Sequence, residues 1–78
     1  MADRIYVVFA RAATGLKWWP IAVFCNSETA ARDARAYAAA AAIEGLPFRP
    51  AGAAHPVAAA EVRGYATWAQ VPPLAKGF

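Results

Sequence analysis

Two periods of apolar side chains run through this chain. From Ile5 to Ala10 the residues are β-branched, aromatic or small, with Ile5, Val7 and Phe9 on one side of an extended chain and Tyr6 and Val8 on the other. Both faces of this strand are apolar, which predicts either a central place in a sheet or a sheet whose second face is covered by a partner. Arg11 to Leu16 contains Ala-Thr-Gly and reads as a turn with Gly15 at positive φ. A second strand is predicted over Lys17 to Phe24, with Trp19, Ile21 and Val23 on one face and Trp18, Ala22 and Phe24 on the other. Pro20 cannot donate to a ladder, so it implies an edge or a bulge.

The period then changes. Asn26 to Gly45 reads as a helix: Asn26 or Ser27 caps it, Glu28 lies where the dipole favours negative charge, and Gly45 ends it in a left-handed conformation. Ala30, Ala34, Tyr37, Ala38 and Ala41 form the buried stripe, and Glu28, Arg32, Asp33 and Arg35 lie on or beside the opposite face. A face of methyl groups lets the helix lie close to the sheet, so aromatic residues outside it are expected to fill most of the core.

Beyond Gly45, Leu46 to Pro50 is held extended by its prolines, and Ala51 to Ala54 reads as a loose connector. Residues 56–63 are ambiguous: Pro56 suits a first helical position and Gly64 the position after an end, so a short second helix is preferred to a strand. Tyr65 to Val71 is the expected third strand, and residues 72–78 are the expected tail of a single domain spanning 1–78. The predicted fold is α+β: a small antiparallel sheet, made of the N-terminal hairpin and a C-terminal strand, covered by one alanine-rich helix and the short second helix.

Composition narrows the chemistry. The 60% hydrophobic content of the 78 residues is dominated by alanine, so the core is small and a homodimer would suit it. A single cysteine, Cys25, allows no intrachain disulfide and fits a reducing cytoplasm. The apolar run at 5–10 is too short for a signal peptide, and Arg32, Asp33 and Arg35 interrupt the alanine segment, so no membrane span is expected. Cys25 and His55 are the only pair that could support nucleophilic chemistry, and a buried cysteine beside a loop histidine is the simpler account of them. No metal-ligand spacing and no phosphate-binding glycine motif occurs, so no cofactor, no metal and no enzymatic activity is expected.

The net charge of +3 comes from scattered basic residues, the one asymmetry being the first hairpin, with Arg4, Arg11 and Lys17 and no acid between them. Exposed Trp, Tyr and Arg favour a protein partner. The candidate contact residues are Arg11, Lys17 and Trp18 on the hairpin and Arg32 and Arg35 on the helix, the last two serving equally as a solvated face with a Glu28 to Arg32 pair. The alternative is a single-stranded nucleic acid stacking on a sheet face that shows Tyr6, Trp18 and Tyr65 or Trp68.

The succession of Tyr6-Val7-Val8, a basic turn, Trp19-Pro20-Ile21-Ala22-Val23-Phe24 and Asn26-Ser27-Glu28-Thr29-Ala30-Ala31 resembles the small ββα-type accessory proteins of bacteriophages and prophages, among them anti-CRISPR proteins. The resemblance implies a cytoplasmic inhibitor that binds a protein, such as a subunit of a CRISPR surveillance complex, and blocks it sterically. It assigns no residue a role.

Overall fold

The computed structural model describes residues 4–74. Strand β1 (Ile5–Arg11) lies between β2 (Trp19–Phe24) and β5 (Ala59–Tyr65) in an antiparallel sheet of order β2-β1-β5. One helix, α1 (Ala30–Glu44), packs on one face. A second, two-stranded sheet joins β3 (Pro47–Phe48) to β4 (His55–Pro56). The expected α+β architecture is thus present.

The apolar character of β1 on both faces explains its position. Val8 and Ala10 point to the helix and are fully buried, together with Ala34, Ala41 and Phe48. Ile5, Val7 and Phe9 point the other way and form a second buried cluster, with Trp18, Val23, Cys25, Tyr65 and Val71 packed around it.

In β2 a bulge corrects the predicted alternation. Val8 pairs with Ala22 but Phe9 pairs with Pro20, so Ile21 is the extra residue. The inserted residue shifts the phase by one. Trp19, Ile21, Ala22 and Phe24 therefore all join the helix-side cluster, while Trp18 and Val23 join the other. Pro20 sits beside this bulge on an edge strand, the setting its missing N–H requires.

The helix begins later than expected. Asn26 is left-handed, at φ 58°, and Thr29 takes the N-cap position, so Glu28 precedes the helix and forms no pair with Arg32. The Ser27 hydroxyl oxygen accepts from the Thr29 backbone N–H at 3.1 Å, and the Thr29 hydroxyl donates to Asp33 at 3.1 Å. These local bonds hold 26–29 as a turn, and Asp33 supplies the acid of the first turn. The far end is as expected, with Gly45 at φ 63° and its N–H donating to Ala41.

The largest correction concerns 56–63. The segment is not helical: Pro56 ends β4, Val57 and Ala58 connect, and 59–63 open β5, so the expected strand at 65–71 is displaced toward the N-terminus. Every residue of β1 pairs with β5, from Ile5 with Tyr65 to Arg11 with Ala59. Alanines at 58–60 favour a helix locally, but a central strand with one bare edge would leave its N–H and C=O groups unpaired. Pairing wins over propensity. After Tyr65 the chain turns: the Ala66 and Thr67 N–H groups donate to Gln70 Oε1 at 3.0 and 3.3 Å, closing a 3₁₀ turn at Trp68–Gln70 that delivers Val71 to the second cluster. The C-terminal segment thereby helps to cover the face opposite α1. Of the expected tail, 75–78 lie outside the described residues.

Two further expectations change. Gly15 is not at positive φ, whereas Gly45 and Gly52 are. The core also depends less on aromatics, since the largest fully buried side chains are Phe48, Val7 and Val8. Phe24 and Tyr37 meet with ring centres 5.6 Å apart at its margin.

Ala34 and Ala41 have no exposed surface. Ala34→Leu is expected to lower unfolding free energy by about 1–3 kcal/mol through overpacking, against under about 0.5 for exposed Ala40→Leu, read by urea denaturation. Burial raises the Tyr37 phenol above its ordinary value. The folded state then holds its proton longer than the unfolded chain, so this contribution is complete below about pH 10 and is lost as pH rises through the folded value. Urea midpoints should fall above that pH, and fall less in Tyr37→Phe.

Candidate binding surface

The loop joining β1 to β2 is held from beneath by two tryptophans on opposite faces of the sheet. Trp18 packs on the Ile5, Val7 and Phe9 cluster, and Trp19 packs on the helix-side cluster. Each carries a cation. The Arg11 guanidinium lies 5.5 Å from the Trp18 ring centre, and Lys17 Nζ lies 4.3 Å from that of Trp19. Arg11 also donates from Nη1 to the Gly15 carbonyl at 3.2 Å, and the Gly15 N–H donates to the Ala12 carbonyl at 3.1 Å. Between these braces Leu16 is 92% exposed, the most exposed of the large apolar residues described. A shallow concavity of about 270 Å³ lies between this loop and Pro50 and His55.

The structure brings Arg11, Lys17 and Trp18 together and leaves Arg32 and Arg35 elsewhere. Strand β2 runs away from the loop to Phe24 and α1 starts beyond that end, so Arg32, in its first turn, is remote from the loop, and Arg35 faces the β5 side of the helix. Both are exposed. Arg35 borders a groove between α1 and β5.

Two residues missed by sequence reasoning matter here. Leu16 is a lone large aliphatic residue in a turn of small ones, a signal available in the sequence. Arg63 spans the Phe9 ring with its guanidinium 4.3 Å from the ring centre and donates to Glu61 at 3.0 Å, a bond that raises its already high pKa. The alternation Glu61-Val62-Arg63 would have revealed this placement had the segment been read as a strand.

Of the aromatics expected to stack nucleic acid, Trp18 and Tyr65 share one face of the sheet. Tyr6 lies on the helix side of the sheet and Tyr65 on the other, while Arg11 and Arg63 lie over the Trp18 and Phe9 rings. Cys25 and His55 are also kept apart. His55 borders the concavity beside Trp19, and Cys25 lies on the opposite sheet face past the far end of β2, six residues or about 20 Å of strand away. Among the described residues no group of three His, Cys, Asp or Glu side chains converges, and no helix is long and apolar enough to cross a membrane. Compared with protein-family models, curated proteins and solved structures, the chain has no match.

Arg11 is the brace common to both strands of the loop. Arg11→Ala is expected to cost about 1 kcal/mol of stability through the lost stacking and hydrogen bond, and to speed amide exchange at Gly15 and Leu16. Arg32→Ala, which removes an exposed charge, should change stability by less than about 0.5 kcal/mol. Urea denaturation and exchange measured on the same variants check both.

Proposed function

We propose that the chain is a non-enzymatic protein-binding module whose contact surface is the Arg11–Trp18 loop. The observation that carries this reading is the exposure of Leu16 at a loop tip fixed by two cation-stacked tryptophans. A large apolar side chain held out in water by a braced loop, with cations at its margin, suits a partner with an apolar pocket rimmed by acids. Fixing the loop beforehand lowers the ordering cost of association. On the resemblance to phage-encoded inhibitors, the module acts in the cytoplasm by covering a surface of a host defence complex.

Leu16 and Lys17 are the residues to test, because both are exposed whereas Trp18 also serves the core. The experiment is capture from nuclease-treated cell lysate with the tagged wild-type chain and with Leu16→Asp/Lys17→Glu. A stoichiometric protein captured by the first and lost by the second, with the variant's circular dichroism unchanged, is the expected result. Equal capture by both chains removes the loop from the interface, and capture abolished by nuclease turns the reading toward nucleic acid.

A further inference from the structure

The two edges of the main sheet are not alike. The β2 edge carries Pro20 and the bulge at Ile21, two devices that hinder addition of another strand. The β5 edge carries neither. Its seven residues run in unbroken register with β1, include no proline, and among the described residues pair with no strand on their outer side. Beside that edge lies a groove of about 390 Å³, with Ala38, Ala39 and Ala42 of α1 above Ala60 and Val62 of β5.

We propose that this edge is the interface between two copies of the chain, paired antiparallel about a two-fold axis at Val62 into a six-stranded sheet. The β5 sequence is complementary to itself in this register. Glu61 falls opposite Arg63 of the second copy, and Arg63 opposite its Glu61. Like charges would face each other in neither position. On the helix side Val62 meets its own counterpart and Ala60 meets Gly64, so no bulky residue separates the strands.

The helix geometry fits the same axis. The two-fold stands perpendicular to the sheet, so both helices lie on one face and run antiparallel. Helix α1 packs over β1 and β5 more than over β2, so it is shifted from the middle of the sheet toward the β5 edge. Two-fold pairing of the β5 edges then brings the outward sides of the two helices toward each other above the joined strands. The Ala39 and Ala42 methyl groups bring the two surfaces together where each chain alone leaves a groove. This interface lies on β5 and does not involve the Arg11–Trp18 loop, so either inference can fail without the other.

The test is the mass of the full chain by sedimentation equilibrium over a range of concentrations, with amide exchange of 59–65 followed in parallel. A dimer that protects additional β5 amides as concentration rises is expected. Glu61→Arg places two arginines opposite two arginines and Arg63→Glu two glutamates opposite two glutamates, so each should weaken self-association by about tenfold or more. Mixed, the two variants become complementary and should form a one-to-one heterodimer, although the Glu61–Arg63 bond within each chain is gone. A wild-type chain that stays monomeric, variants that dimerise as well as wild type, or a mixture that does not pair overturns the proposal. Should either variant fail to fold, the concentration-dependent exchange of the wild-type chain decides.

Discussion

A strand that is apolar on both faces must be covered on both, and β1 imposes that requirement on everything around it. Val7, Val8 and Ala10 are completely removed from water although the sheet is only three strands wide. One cover is α1, whose buried stripe is entirely alanine apart from the half-buried Tyr37 at its side. A surface of methyl groups lets the helix lie close to the strands it covers. The other cover is assembled from parts: Trp18 from the loop, Tyr65 and Arg63 from β5, and Val71 from the segment after the 3₁₀ turn.

The bulge in β2 reconciles two demands that simple alternation could not meet. Trp18 and Trp19 are adjacent and must point to opposite faces, while Ala22 and Phe24 must reach the helix. An uninterrupted strand would have put Trp19 and Ala22 on opposite sides. With Ile21 inserted, both point to the helix and Ile21 itself is buried there. Trp18 is then free to seal the second face, and the loop between the strands is clamped on both sides of the sheet. The bracing of the loop and the closure of the core thus have the same cause.

How far the sequence can be read depends on the range of the interactions. Period-2 apolar residues placed β1 and its two faces, and Gly45 ended the helix where it was expected, because alternation and a left-handed cap are local. The helix cap falls two to three residues later than expected, since Asn26, Ser27 and Thr29 are all capping residue types and the Ser27–Thr29 and Thr29–Asp33 bonds form only in the folded turn. Residues 56–63 were misread because their local preference is helical and their partner, β1, lies some fifty residues away. At the loop, Arg11, Lys17 and Trp18 were legible as a basic, aromatic group; their braced arrangement was not, because it depends on Trp18 and Trp19 being divided between two clusters. Arg32 and Arg35 were grouped with them only by charge, and topology separates them.

The same economy explains why the edges differ. In β2 the tryptophans, Pro20 and the bulge already serve the core and the loop, and protection against strand addition follows from residues that are there for packing. In β5 the helix-facing positions Ala60, Val62 and Gly64 must stay small enough to fit beneath the alanine stripe, with Gly64 lying against Tyr6. Small residues in flat register leave an edge that is easy to approach. The charged pair on its other face, drawn inward by the stacking of Arg63 on Phe9, gives that edge an order of signs that only one antiparallel register satisfies. In the proposed dimer the arginine that covers Phe9 would also direct the approach of the second strand.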